Sequence, residues 1–190
     1  MSTLFRRFFD PKQFGVPYAA AEDHLLDLVR WCELLLSAYL AGYPQGAGQA
    51  EEQQDRFRQD VLTNFDKALF HIDARAKASG EAGTFLAAQY VREVFKLTNL
   101  ELFALLLWLL PQYDERFGPL LGRLQNSQTI RRPSLDLVLK LFHFTDAAED
   151  VPQYHRLRKI LREKASFAFL QQDGSLDARV RDFVLLNGRP

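Results

Sequence analysis

Arg131 and Arg132 stand side by side in the run LQNSQTIRRPSLDLVLKLF, from Leu124 to Phe142, and Pro133 and Ser134 follow at once. Paired guanidinium groups can fork onto phosphate or carboxylate oxygens, so anion or nucleic-acid contact is the chemistry they suggest. A second basic group, Arg156, Arg158, Lys159, Arg162 and Lys164, follows some twenty residues on, and Arg123 precedes. The setting of the first pair points to a quieter role. Ser134 is placed to cap the helix that follows, and cations gain nothing from the macrodipole at a helix start. We read Arg131 and Arg132 as part of a helix junction. Together with Arg158, Lys159 and Arg162 they are candidate partner contacts, and an anion site is the less favoured alternative.

Catalytic groupings are thin. His24, His71, His143 and His155 fall at no H-x-x-x-H spacing, and the single Cys32 can form neither a C-x-x-C pair nor an internal disulfide. Cys32 sits at helical spacing among leucines and reads as a small buried hydrophobe rather than a nucleophile. His71 and Asp73 are two residues apart and point to different faces of a helix. No G-x-S-x-G supports a serine nucleophile. The expectation is a chain with no catalytic, metal or cofactor residues of its own.

Charge weighs against a polyanionic partner. Lys+Arg and Asp+Glu both number 24, a formal net charge of zero, whereas phosphate binding draws on excess positive charge. With 47% hydrophobic and 13% aromatic residues, 190 residues can bury a core as one domain or two small ones. The N-terminal MSTLFRRFFDPKQFGVPY never builds the continuous apolar run of a secretory signal. The most apolar stretch, LELFALLLWLLP, is broken by Glu101 and ended by Pro111, well short of the ~20 residues that span a bilayer. A soluble, cytoplasmic protein is expected.

Helical periodicity dominates the chain. Leu25, Leu28, Val29, Cys32, Leu35, Leu36, Tyr39 and Leu40 make one stripe. Phe57, Val61, Leu62, Phe65, Ala68, Leu69, Ile72 and Ala76 make another, beyond GYPQGAGQ, and ASGEAG ends it. Thr84 is placed to cap a third helix with Leu86, Tyr90, Val91, Val94 and Phe95 inward. Thr98 and Glu101 form a T-x-x-E capping box, and the helix it opens should be buried on nearly every side and stop at Pro111. Asp114 can cap the next helix, with Gly118-Pro119 able to delay its start. Leu135, Val138, Leu139 and Phe142 face inward after Ser134. Beyond the acidic HFTDAAEDVP, a short basic helix passes into ASFAFL, which alternates with the period of a strand, then QQDGS as a turn. Val180, Phe183 and Val184 resume helical spacing. The prediction is a mostly α chain: a helical hairpin region over 1–80, then a winged-helix-like domain with a small β hairpin over 81–190.

From Leu97 onward the order of motifs resembles a segment that precedes the ATPase core in a group of bacterial AAA+ ATPases. A capped helix leads through a leucine-rich core to P-x-x-D-x-R-Y/F, matched at Pro111, Asp114, Arg116 and Phe117. Leu124 and Gln125 match an LQ near the next helix end, and Arg131, Arg132, Pro133 and Ser134 match RRP-S/T. Leu176, Asp177, Arg179 and Val180 match a closing LDERV-like element. The likeness covers residues 97 to 186. It implies a winged-helix domain in ATPases that remodel protein assemblies, some of them encoded with phage-tail-like contractile injection particles. The sequence lacks G-x-x-x-x-G-K-S/T and a strand ending in a hydrophobic-acidic pair, so ATP and Mg²⁺ would belong to a motor module outside this chain. The resemblance therefore implies an N-terminal portion of an ATPase without its motor.

Three functions stay open: an adaptor that recognises protein partners or substrates for ATP-driven remodelling, a nucleic-acid-binding winged helix, and a self-assembly module packing against a ring. Protein partners are favoured, with nucleic acid and membrane disfavoured and ring assembly tied to the motor module. In a DNA reader the recognition helix should be basic and polar. The helix after Asp114 instead offers Phe117, Leu120 and Leu121.

Overall fold

The computed structural model describes residues 9–42, 51–127, 129–143 and 175–188, together with Lys159, Glu163 and Leu170. The described residues hold seven α-helices and no strand, and they divide into two compact units, one running to Leu86 and also taking in His143, the other beginning at Ala87.

In the first unit, α1 (Ala21–Gly42) packs along α2 (Glu51–Glu81). The two stripes meet as their spacing requires: Leu28, Val29, Trp31, Cys32, Leu34, Leu35 and Leu36 are buried on α1, and Val61, Phe65, Ala68, Leu69, Ile72 and Ala76 on α2. Leu40, at the end of its stripe, is exposed. Trp31 stacks on Phe65 at 4.6 Å and its indole Nε1 donates to the Phe65 carbonyl at 3.2 Å, so its one polar atom is satisfied inside the core. Cys32 is wholly buried, and burial raises its thiol well above the ordinary range, which keeps it protonated and inert. Gly83, at φ +79°, ends α2: its neighbour Thr84 donates its amide to the Ser79 carbonyl at 2.8 Å. Thr84 thus closes the helix behind it and does not open the next.

The second unit begins with α3 (Ala87–Val94). Its first amide, on Ala87, is held by the Asn187 side-chain oxygen at 2.9 Å, a cap supplied from the far end of the unit. The inward face also differs from the sequence expectation. Ala87, Ala88 and Val91 are buried, whereas Tyr90, Val94 and Phe95 are exposed. Lys96, at φ +50°, turns the chain into α4 (Asn99–Tyr113). Thr98 and Glu101 form the predicted capping box, each satisfying the other's backbone amide. Every residue of α4 from Leu100 to Leu110 is buried, as a stretch apolar on all sides requires. Pro111 lies inside its last turn rather than at its end.

Two short helices follow, α5 (Phe117–Leu124) and α6 (Leu135–His143). Asp114 accepts the Arg116 amide at 2.9 Å just ahead of α5, which starts at Phe117 without delay at Gly118-Pro119. The last described helix, α7 (Ala178–Leu185), packs on α3. Its C-terminal Asn187 meets the first residue of α3 and its Phe183 meets Tyr90 at 5.7 Å, so the two helices run antiparallel. The β hairpin expected near the C-terminal end is not seen among the described residues. One isolated antiparallel bridge joins Leu170 to Leu176, and Ala165–Phe169 lie outside the described residues.

Candidate interaction surface

The arginine pair sits on the loop between α5 and α6, and that loop is tied down by its own polar groups. Gln125, at the end of α5, donates from Nε2 to the carbonyls of Leu121 (3.0 Å) and Arg132 (2.8 Å) and accepts the Ser134 amide at Oε1 (2.9 Å). One side chain thereby satisfies backbone groups at both ends of the junction. Ser134 caps α6 as the sequence predicts, its hydroxyl accepting the Leu137 amide at 3.2 Å. From below, Trp108 of α4 donates its indole N–H to the Pro133 carbonyl at 3.1 Å, and Pro133 is itself buried. The loop also folds hard against α5. A Cβ on Gly122 would stand 2.7 Å from the Ser127 carbonyl oxygen and 2.8 Å from that of Ile130, so only glycine fits.

Arg131 and Arg132 project from this clasp with both side chains exposed. The Arg131 stem lies over Gly118, where an added Cβ would meet its Cβ at 3.4 Å. Arg131 has no carboxylate partner among the described residues. Lys159 is exposed and faces Glu163 at 3.9 Å, while Arg158 and Arg162 lie outside the described residues.

Three arginines of this unit, Arg116, Arg179 and Arg181, are neutralised locally. Arg116 forks onto Asp114 (Nε to Oδ2, 2.8 Å), and its hydrogen bonds hold the Asp114 carboxyl below the usual carboxylate range. Arg179 pairs with Asp177 at 3.0 Å and pulls that carboxyl down to about 2. Arg181 pairs with Asp182 at 2.6 Å. A helix offered to a DNA groove would need several cations on one face. Lys140 is the exposed cation of α6 and Arg123 that of α5, whose buried residues include Phe117 and Leu121.

Apolar side chains take the outward positions elsewhere. On α3, Tyr90 and Val94 are one turn apart and 48% and 53% exposed, with Phe95 beside them and the Tyr90 ring against Phe183 of α7. Sequence periodicity assigned these residues to the core. The signal that separates the two readings is the row Ala87, Ala88 and Val91, small residues that allow close packing and take the buried side instead.

Sequence reasoning also missed a buried ionic cluster in the first unit. Asp27 and Arg75 are 4% and 7% exposed and pair at 2.8 Å across α1 and α2. Asp27 also accepts from Arg30 (3.1 Å) and from the Tyr18 hydroxyl (3.1 Å), and the Arg75 guanidinium lies 3.8 Å over the Tyr18 ring. Burial, with the Asp27 carboxylate beside it, pushes the Tyr18 hydroxyl above its ordinary range and keeps it a donor. The available signal was Arg75 itself, a charge three residues from Ile72 in the apolar stripe. Among the described residues no group of acidic, histidine or cysteine side chains could hold a metal ion, and no helix is long and apolar enough to cross a membrane.

The family model described as winged helix domain, variant, matches residues 10–185, and the chain belongs to that family. No curated protein and no solved structure matches it.

Proposed function

We propose that this chain is a protein-interaction module, the N-terminal adaptor of an AAA+ ATPase, which recognises partners or substrates for remodelling driven by a motor outside these residues. Membership of the winged-helix family is compatible with either protein or nucleic-acid partners. The observation that carries the choice is the outward side of α3 and the residue that follows it, where Tyr90, Val94 and Phe95 stand exposed in a unit whose Arg116, Arg179 and Arg181 are paired with carboxylates. Exposed aromatic and apolar groups at adjoining positions are what a protein partner covers. The ordered motifs from Leu97 to Leu186 support the ATPase context, and that context supplies the cytoplasmic location, the ring and the link to contractile injection particles. ATP and Mg²⁺ would be held by the motor.

The nucleic-acid reading draws on Arg131, exposed and without a carboxylate partner among the described residues. It is the weaker reading because Arg131, Arg123 and Lys140 lie on three different elements, one cation each, and so supply little of the counterion release that duplex binding needs.

The ATPase context is tested by reading the encoding gene past Pro190. A strand running into G-x-x-x-x-G-K-S/T and a helix is expected there, and the longer protein should hydrolyse ATP and assemble into rings while residues 1–190 alone bind no ATP. A stop codon directly after Pro190, or saturable Mg²⁺-dependent ATP binding by residues 1–190, would overturn the adaptor assignment.

A further inference from the structure

Two helices of the second unit end in the same way. α5 closes with Asn126 at φ +53°, and the Ser127 amide donates back to the Gly122 carbonyl at 2.9 Å. α7 closes with Asn187 at φ +51°, and the Gly188 amide donates back to the Phe183 carbonyl at 2.7 Å. At Asn187 two further features coincide. Its side-chain oxygen caps α3 by accepting the Ala87 amide at 2.9 Å, and the residue after it is glycine. Asparagine is among the labile residues. It is most so before glycine, because the next backbone nitrogen can attack the side-chain amide carbon and no side chain stands in the way. The other asparagines, Asn64, Asn99 and Asn126, precede Phe65, Leu100 and Ser127.

We propose that Asn187 is a self-modifying site, converted to aspartate and isoaspartate by the Gly188 nitrogen, at a rate set by the docking of α7 on α3. The Gly188 nitrogen gives its proton to solvent base and closes on Asn187 Cγ. The Cγ–Nδ2 bond breaks, and ammonia leaves with a proton from solvent. Water then opens the cyclic imide. Entry at Cγ restores the ordinary main chain and leaves aspartate, while entry at the backbone carbonyl routes the main chain through Cγ and leaves isoaspartate. The sum is one water in and one ammonia out, with no change of oxidation state. In the folded chain both reacting groups are held, the nitrogen by the Phe183 carbonyl and the carboxamide by the Ala87 amide. Attack therefore needs the end of α7 to leave its turn and release the cap on α3. The two products differ in consequence. Aspartate keeps an oxygen for the Ala87 amide and brings negative charge to the start of α3, where the helix dipole favours it. Isoaspartate lengthens the main chain by one carbon and displaces the cap. Phe183, whose carbonyl holds Gly188, also lays its ring against Tyr90 at 5.7 Å, so loss of the cap loosens the contact beneath the exposed side of α3.

The test is peptide mass spectrometry of the intact protein aged in mildly alkaline buffer, folded or unfolded in guanidinium, where each conversion adds about 1 Da. In the unfolded chain Asn187 should react ahead of Asn64, Asn99 and Asn126. In the folded protein it should react at least about tenfold more slowly than when unfolded, since two hydrogen bonds must open first. Ala87→Pro removes the amide that Asn187 holds, at a helix position that suits proline. It should speed the reaction of folded Asn187 about five- to tenfold and leave Asn126 unchanged. An unfolded chain in which Asn187 reacts no faster than Asn126 overturns the site. Equal rates in the folded and unfolded parent overturn the control by docking, and that comparison decides even if the proline variant fails to fold. A folded Ala87→Pro protein with the parent rate overturns the role of the cap.

Discussion

The two units differ in the polar contact that ties their distant segments together. In the unit ending at Leu86, charged side chains far apart in sequence satisfy one another: Asp27 and Arg75 are 48 residues apart and join two helices. In the unit beginning at Ala87, the segments round the α5–α6 junction are tied by single neutral side chains, Gln125 across the junction and Trp108 onto Pro133. The first arrangement concentrates dependence on one desolvated pair. The second spreads it over several bonds of about 1 kcal/mol net each. A single substitution should therefore damage the first unit far more than the second.

The sharpest way to break that contrast is Asp27→Ala. It leaves the Arg75 guanidinium buried without its carboxylate, and the cost of such an orphaned charge is about 3 to 5 kcal/mol. Peptide-resolved hydrogen exchange should show α1 and α2 losing protection together while α4 keeps its own. Loss in α4 of equal size would mean that the two units unfold as one.

Gly122→Ala should come next, at about 1 to 3 kcal/mol, the ordinary range for overpacking, because the new methyl would collide with the Ser127 and Ile130 carbonyls. Its effect should be confined to α5, α6 and their loop. A neutral outcome by thermal denaturation would show that the loop yields easily and that the Gln125 clasp is not rigid.

The smallest effect is expected for Arg131→Ala with Arg132→Ala. Both side chains are exposed, and Gln125 bonds the Arg132 backbone rather than its side chain. The melting temperature should shift by no more than about 0.5 kcal/mol of stability implies.

The same contrast explains what could be read from sequence. The Thr98–Glu101 box and the all-round burial of α4 are local: four residues and an unbroken apolar run contain all the information. The Ser134 cap is local in the same way. The α3 face was misread because periodicity defines a stripe without saying which side meets a neighbour, and the cap on Ala87 comes from Asn187, 100 positions away. Pro111 is tolerated in the last turn of α4, so helix stop rules placed that end two residues early. The Asp27–Arg75 pair was invisible for a related reason, since two charges in different helices look solvent-facing until the helices are packed. Of the candidate contacts, Arg131, Arg132 and Lys159 are exposed. Nothing local in the sequence marked Gln125 as the residue that holds their loop.

The preference for a protein partner over a nucleic acid is tested most directly by fluorescence anisotropy of a labelled DNA duplex at low salt, where any phosphate contact is strongest. No saturable binding is expected up to about 10 µM protein, and no difference between the parent and the Arg131→Ala, Arg132→Ala double variant. Saturable binding that weakens steeply with added salt and disappears in the double variant would contradict it, and would make the arginine pair a phosphate contact after all.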